Sequence, residues 1–530
     1  MLTPYVVTPV FIAAFLFVAA GNKAVRILAI LFQSILFAAS FYLVMATRYG
    51  AVETVIGGYE SVLGIVLRAC TLSSVFVLLT TFIFLAASIY TLTEQQDKRS
   101  FWFLLFLLES ALIGLFLTGD LFNAFVLVEV STLVIVILTM YDRKKRNMFS
   151  GKVFLMTNIV AIQFYLLGIG YIYRLTGVLD IIRVTETLAR LSPESLTLPY
   201  VLIMTAIAFK CLLIPFFSWS PKVNIYPNAP TAVAAILSAL QIKAAVYLFL
   251  QFQDIFQPIA AMEFFLVIGV IVGLFGAFMA ICQTNIMMIL AYHTVSQVGL
   301  IIIGASSGSF HSYLGSLYHI ISHAMFKTTL FLCAGNFILT YGTSDIYKIR
   351  GVMKRMPLVG TAAAAAVLGI TGAPFFIGSI SKYFIAYDPP LWLEISLILI
   401  SLGTIISFIK FSTAFFGTAD LDDDAPSLEV RRVVPVLIMG AICFLGGIFG
   451  PQLIYFLFRY EITVDAWGYF RKSLIFAASV GTGLATYKYI VSGNTTLKRI
   501  GSINFSFKTV CASMGVFFAV LLVYVGFIAA

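Results

Sequence analysis

The sequence predicts an all-α, polytopic membrane protein: a bundle of about 14 to 16 transmembrane helices. Of the 530 residues, 61% are hydrophobic and only 11% are charged. The mean hydropathy is +1.03, far above that of ordinary soluble domains. Apolar runs long enough to cross a hydrocarbon core about 30 Å thick as a helix follow one another from residue 3 to residue 529. We therefore expect no soluble domain.

The apolar runs, taken in order, divide the chain into four segments. Residues 1–95 are expected to form N-terminal transmembrane helices, residues 96–250 and 251–420 the central helices, and residues 421–530 C-terminal transmembrane helices. The predicted helices lie near 3–20, 24–47, 71–94, 101–118, 120–141, 153–174, 198–219, 229–250, 260–282, 286–304, 312–341, 358–384, 391–417, 433–458, 472–491 and 505–529.

The net charge of +10 does not indicate a nucleic-acid partner, because the basic residues lie in short loops and not on one folded face. The positive-inside rule explains them better. If the N-terminus is outside the cell membrane, most basic clusters fall on the cytoplasmic side: Lys23 with Arg26, Lys98 with Arg99, Arg143 to Arg146, Lys348 to Arg355, and Lys498 with Arg499. We therefore expect a multi-pass plasma-membrane protein with its N-terminus outside.

Two predicted helices contain a proline. Pro215 and Pro374 lie within runs long enough to span, and each is followed by two phenylalanines and a lysine a few residues later. Proline removes a backbone hydrogen bond and breaks or kinks a helix. Broken backbone at membrane depth must be surrounded by protein or water, and paired interrupted segments are a sequence indication of a transport pathway built from repeats.

Ionisable residues also lie inside the apolar runs. Burying each costs at least about 2.5 to 3.5 kcal/mol, so each needs a partner, water or a function. We select Glu129, Lys210, Lys243 and Lys382, with Glu109 as an accessory residue that is expected to face a neighbouring subunit. If Glu129 pairs with Lys210, separating the two would move a proton; a static buried ion pair is the alternative, and both stay open. Asp120 is instead expected to cap a helix.

A second group lies on one predicted helix. His319, His323 and Lys327 are spaced four residues apart and so form one stripe, which can relay protons because histidine titrates near neutrality. His293 adds a polar, accessory position on the preceding helix. Metal or haem ligation and a satisfied polar core are the alternatives. No carboxylate or cysteine accompanies the histidines, so we expect no metal.

At these residues the sequence resembles the antiporter-like subunits shared by Mrp-type cation/proton antiporters, membrane-bound hydrogenases and respiratory complex I. The resemblance spans roughly residues 70 to 420. It is carried, in order, by Gly119-Asp120-Leu121-Phe122-Asn123 leading to Glu129, Lys210 with Pro215, Ala229-Pro230-Thr231-Ala232-Val233 leading to Lys243, Ala291-Tyr292-His293-Thr294-Val295-Ser296-Gln297, the stripe His319, His323 and Lys327, and Gly372-Ala373-Pro374 leading to Lys382.

The resemblance implies two inverted five-helix repeats, here 96–250 and 251–420, around a charged axis. In that arrangement Glu129 and Lys210 are the coupling ion pair, Lys243 is the central carrier, the stripe is the link and Lys382 is the terminal group that releases the proton. The helices beyond about residue 465 exceed the usual fourteen and are expected to dock another subunit.

The leading hypothesis is an ion-translocating subunit, similar to the D-type subunits, of a multisubunit Mrp-type antiporter that exchanges protons for Na⁺ or a similar cation. The alternative is the proton-pumping membrane subunit of a redox-driven complex. The expected partners are other membrane subunits, H⁺, Na⁺ and lipid. No motif for NADH, flavin, an iron–sulfur cluster or quinone is present in the sequence, so we expect no cofactor and no enzymatic activity of the chain by itself.

Overall fold

The computed structural model describes residues 1–18, 22–58, 64–92, 99–141, 145–213, 225–418, 429–503 and 506–530. Within these ranges, twelve helices are long and apolar enough to cross a membrane, and Thr3–Val18 and Pro357–Thr371 are shorter apolar helices. The predicted fold class, a polytopic helical membrane protein, is confirmed.

The chain forms two compact units. The first consists of residues 1–88, 94–261 and 505–530. Its described helices are Thr3–Val18, Asn22–Ala46, Thr71–Thr91, Arg99–Leu117, Leu121–Thr139, Lys145–Thr176, Ile181–Leu188, Pro193–Lys210, Ile225–Asn228, Thr231–Ile255 and Phe507–Ala529. It also contains an antiparallel hairpin of strands Val52–Val55 and Val66–Ala69, which the sequence pattern did not predict.

The second unit consists of residues 89–93 and 262–504. Its remaining described helices are Met262–Cys282, Ile286–Ser306, Phe310–Tyr341, Val352–Arg355, Pro357–Thr371, Ile377–Ile385, Leu391–Ser412, Val430–Ile448, Gly450–Phe458, Ala466–Thr486 and Thr495–Gly501. The run 433–458 was predicted as one helix and is two. Pro451 has no N–H with which to bond the carbonyl four residues earlier, and the helix is interrupted at Phe449.

Among the described helices, one in each unit is buried along nearly its whole length. In the first unit this is Thr231–Ile255, and in the second it is Ile286–Ser306, every residue of which is buried. A helix that is apolar on all sides belongs in the interior of a bundle. These two central helices carry Lys243 and His293, so the sequence positions of both residues place them in the core of their units.

The same backbone motif occurs at corresponding helix starts in the two units. The side chain of Asp120 accepts a hydrogen bond from Asn123 N at 2.7 Å, which confirms the predicted cap, and Asn285 caps Ile286–Ser306 in the same way. Residues 119–121 pair with residues 179–181 through two backbone hydrogen bonds, and residues 284–286 pair likewise with residues 344–346. The recurrence of this motif agrees with the two repeats that the resemblance implies, which stay a prediction.

The predicted break at Pro374 is confirmed. Helix Pro357–Thr371 ends at Gly372, whose φ is 85°; Phe375 has a φ of 69°, and a half-helix begins at Ile377. Pro215 lies outside the described residues. The helix before it ends at Lys210, earlier than predicted, and Leu212 has a φ of 60°.

Candidate functional site

Lys210 joins three helices of the first unit. It is the last residue of Pro193–Lys210, and its Nζ donates hydrogen bonds to Thr132 Oγ1 and Asn158 Oδ1, both at 3.1 Å. Thr132 lies on Leu121–Thr139 and Asn158 on Lys145–Thr176. The ammonium group is therefore held by neutral oxygens.

Glu129 lies one helical turn before Thr132 and is half-buried. It interacts electrostatically with Lys210. Both residues are described, yet no nitrogen–oxygen distance between them falls within 4 Å. The buried Oε1 of Glu129 has no hydrogen-bond partner among the described residues. The direct ion pair that the resemblance implies is thus absent from this structure, and the Thr132 hydroxyl that accepts from Lys210 donates to Val128 O.

Lys243 is fully buried, and its backbone geometry is unusual. The helix makes a π-turn at Leu237–Gln241 immediately before it, and Lys243 Nζ donates to Ser238 O at 3.1 Å. A π-turn inserts one residue and re-aims backbone carbonyls, and such turns are frequent at functional sites. The same turn presents Gln241, which with Lys210 and Asn158 lines a cavity of ≈ 30 Å³. That is room for a water molecule between polar groups.

Glu109 is also buried in the first unit, so the expectation that it faces a neighbouring subunit is wrong. Its Oε1 accepts a hydrogen bond from Gln33 Nε2. Gln33 belongs to the N-terminal helix Asn22–Ala46, which lies outside the region of resemblance. No feature of the sequence indicated that this helix would supply the partner.

In the second unit, His319 is bonded at both ring nitrogens. Nδ1 is 2.9 Å from Ser381 Oγ and Nε2 is 3.1 Å from Gln297 Oε1. Ser381 Oγ also reaches Gly378 O at 3.2 Å. With neutral His319, the serine hydroxyl donates to Nδ1; with protonated His319, Nδ1 donates to the serine, whose hydroxyl turns to Gly378 O. The site therefore satisfies both protonation states of the ring.

Lys382 follows Ser381 on the half-helix after the break. Its Nζ donates to Ile370 O at 2.8 Å and to Thr371 O at 3.1 Å. These carbonyls are available because helix Pro357–Thr371 ends there, and the C-terminal end of a helix carries partial negative charge. The break thus creates the binding site of the lysine ammonium.

The remaining predicted residues are buried as well. His323 and Lys327 lie on Phe310–Tyr341 with His319, as the stripe requires, and Lys327 Nζ donates to Leu290 O on the neighbouring helix. His293 Nε2 is bonded to Ser407 Oγ, and its ring stacks on Phe408 at 4.5 Å between centroids. The structure therefore bonds His319 to Ser381, the residue before Lys382, and it connects His293 to the helix Leu391–Ser412.

One buried cation was missed. Lys410 is 1% exposed, and its Nζ donates to Ala280 O, Ile281 O and Gln283 O at 3.1, 2.6 and 2.6 Å. It caps the C-terminal end of Met262–Cys282. The criterion that selected Lys243, a charge inside a long apolar run, would have found Lys410 in the predicted run 391–417.

A helical membrane bundle with broken and π-bulged helices, and with buried lysines and histidines hydrogen-bonded across them, defines an antiporter-like membrane protein. The chain belongs to the family described as NADH:quinone oxidoreductase/Mrp antiporter, transmembrane, whose model matches residues 118–407. That range covers the predicted axis from Glu129 to Lys382.

Two curated relatives represent the two branches of the family. The chain is 28% identical over 439 residues to the N subunit of the NADH-quinone oxidoreductase of Desulforudis audaxviator, covering 77% of this chain and 86% of the relative. It is also 28% identical over 403 residues to the D subunit of the Na(+)/H(+) antiporter of Bacillus subtilis, covering 74% and 80%.

Solved structures share the fold. A chain of the Mrp complex from Dietzia sp. DQ12-45-1b superimposes with a TM-score of 0.79 at 21% identity, covering 92% of this chain and 98% of that one. A chain of respiratory complex I from Thermus thermophilus gives 0.75 at 21% identity, covering 91% and 100%. The chain is thus an antiporter-like subunit of the Mrp-type or complex I-like kind.

Proposed function

We propose that this chain is the proton- and cation-translocating subunit of a multisubunit Mrp-type antiporter that exchanges protons for Na⁺. The observation that carries the proposal is the hydrogen-bonded series Gln297, His319, Ser381, with Lys382 next in the chain. It accepts a proton at His319 while both ring nitrogens stay hydrogen-bonded, because the serine hydroxyl changes its acceptor. A static polar core does not need that property.

The lysines support the same proposal. Lys210 and Lys382 bind neutral oxygens through their ammonium groups, so no ion pair has to be separated when a proton leaves. A buried ion pair, by contrast, holds its charges against the cost of leaving one unpaired. Ionisable groups at membrane depth are costly, and transport gives them a function.

The proposed route runs through two repeats, residues 96–250 and residues 251–420, and each repeat forms one half of it. Glu129, Lys210 and Lys243 carry the proton in the first half, with Glu109 as an accessory group. His319, His323 and Lys327 link to Lys382 in the second, with His293 as an accessory. We place the N-terminus outside the plasma membrane, as the basic loops indicate, and Lys382 at the end of the route, where it releases the proton outward. Other membrane subunits and lipid surround the chain, which performs no chemistry of its own.

A second candidate is a proton pump in a redox-driven complex. The relative from the NADH-quinone oxidoreductase supports it, with identity equal to that of the antiporter relative. The fold is also shared by a chain of an archaeal membrane-bound sulfane sulfur reductase, with a TM-score of 0.77 at 21% identity, covering 91% of this chain and 99% of that one. In this alternative the route is the same, and its driving force comes from partner subunits.

The test is cation/proton exchange in membrane vesicles that hold the full complex, followed with a pH-sensitive dye. Wild type is compared with Lys243→Ala and Glu129→Ala at equal assembly, and with Lys152→Ala, an exposed lysine of the first unit, as the matched control. We expect Na⁺-dependent proton movement that the two axis variants lose and the control keeps. Movement that requires a redox substrate instead supports the pump, and unimpaired axis variants contradict the route.

A further inference from the structure

The half-helix that carries Lys382 opens onto a cavity within the second unit. The cavity has a volume of ≈ 110 Å³, and its lining includes Lys382, Ser401, Glu394 and Lys472. Such a volume holds several water molecules where polar groups are present. A larger cavity of ≈ 340 Å³ adjoins it. Glu394 and Lys472 line this cavity too, together with Asp388 and Asp465. Glu394 and Lys472 thus stand at the junction of both cavities.

Lys382 lines the inner cavity of ≈ 110 Å³. An ammonium has three hydrogens, and the carbonyls of Ile370 and Thr371 take two of them. No other hydrogen bond of Lys382 is found among the described residues, and its side chain is half-buried. The third hydrogen is therefore available to water in the cavity.

Glu394 and Lys472 form a loose ion pair at this junction. Lys472 Nζ is 3.7 Å from Glu394 Oε1, and their side chains are 24% and 31% exposed, the lysine being the less exposed of the two. A well-formed ammonium–carboxylate hydrogen bond is about 2.7 to 2.9 Å long. Lys472 also donates to Ala386 O at 3.0 Å, at the end of the half-helix Ile377–Ile385. The lysine is anchored on the half-helix, and the carboxylate is the less restrained partner.

One wall of the cavity comes from helix Ala466–Thr486, which follows the family-matched region 118–407. Its Tyr469 hydroxyl accepts a hydrogen bond from Phe375 N at 3.0 Å and lies 2.9 Å from Ser379 Oγ. Tyr469 therefore binds backbone at the break itself. Within its own chain the helix packs on the break, and the expectation that it docks another subunit stays a prediction.

We propose that Glu394 is the proton acceptor after Lys382 and that the Glu394–Lys472 pair is the gate between the inner cavity and the outer one. This inference rests on the proposed function, since it extends the same route. On the orientation expected from the basic loops, the outer cavity faces the exterior. Helix Ala466–Thr486 thereby supplies part of the exit path.

The proton transfer balances at each step. Protonated Lys382 gives a proton through cavity water to the Glu394 carboxylate and becomes a neutral amine. Neutral Glu394 no longer attracts the Lys472 ammonium, so the pair opens toward the outer cavity. Water there takes the proton, the carboxylate is restored and the pair closes. The next proton from His319 returns Lys382 to its charged form.

The first arm measures exchange in the same vesicles. Glu394→Gln keeps the shape and removes the proton acceptor, so we expect at least a tenfold loss of rate at equal assembly. Glu394→Asp retains the carboxylate and is expected to stay within threefold of wild type. Glu263→Gln, an exposed carboxylate that likewise lies in the first turn of its helix, is the matched control. Full activity of Glu394→Gln overturns the proposal.

The second arm does not depend on transport. In a variant without the six native cysteines, Ser401→Cys places a thiol on the inner cavity, and a charged thiol reagent is added from outside. We expect labelling, and faster labelling when Lys472→Met opens the gate. Ser296→Cys, which is fully buried, is expected to stay unlabelled.

The outcomes separate the two proposals. If wild type moves no protons while Ser401→Cys is labelled, the proposed function fails and the water path stands. If wild type is active but Ser401→Cys resists the reagent even when combined with Lys472→Met, the cavity is dry or filled by lipid, and the gate is refuted while the proposed function survives.

Discussion

Gly378→Ala is expected to damage both stability and transport. Gly378 is the second residue of the half-helix Ile377–Ile385, and a Cβ built there lies 1.9 Å from Gly369 O on the preceding helix. Carbon–oxygen contacts settle at roughly 3.3 Å or more, so the two backbones must separate by about 1.4 Å. Because both atoms belong to rigid helical backbone or its attached Cβ, no rotamer change relieves the contact.

The magnitude follows from two opposing effects. Alanine favours a helix over glycine by about 0.8 to 1 kcal/mol, whereas overpacking of this kind costs about 1 to 3 kcal/mol. The overlap here is severe, so the upper value of the overpacking range applies, and we expect net destabilisation of about 2 kcal/mol. The displacement also stretches the hydrogen bonds from Lys382 to Ile370 O and Thr371 O, now 2.8 and 3.1 Å, beyond hydrogen-bond range. A misplacement of about 1 Å can lower a rate by roughly a hundredfold.

The assay compares thermal unfolding in detergent with exchange in vesicles. Gly481→Ala is the matched control, because it lies on helix Ala466–Thr486 with no heavy atom within 4 Å of its Cβ position. The control should be neutral or slightly more stable and fully active. If Gly378→Ala unfolds at the same temperature as the control, the close approach of the two helix ends does not exist in solution, and the role assigned to the break is refuted.

Three further outcomes are expected. Tyr318→Phe removes the buried hydrogen bond to Gly446 O, 2.6 Å long, and should lower the free energy of unfolding by about 1 kcal/mol in a denaturant titration; no change would mean that water replaces the hydroxyl. Asp120→Ala removes a helix cap and should cost about 1 kcal/mol, with Asp120→Asn close to wild type. A thiol reagent should label only the half-buried Cys70 and Cys511 in the folded protein and all six cysteines after denaturation, counted by mass spectrometry; fast labelling of a third thiol would contradict the burial.

The site could be predicted from sequence where an ionisable residue stands inside a long apolar run. Glu129, Lys210, Lys243 and Lys382 stand out because ionisable groups are rare in apolar runs, and the stripe from His319 follows from helical periodicity alone. The break at Pro374 follows from the chemistry of proline. Lys410 carries the same signal and was missed.

The sequence by itself determined that this protein is a helical membrane bundle with ionisable groups at set helical positions, because hydropathy and periodicity are local properties. Only the tertiary structure decided their partners. Lys382 binds carbonyls at the C-terminal end of another helix. Glu109 binds Gln33, which lies on a helix outside the region of resemblance. Glu394 pairs with Lys472, which is 78 residues later in the chain. Partners of this kind depend on how helices pack, and packing brings together residues whose separation in the chain carries no local signal.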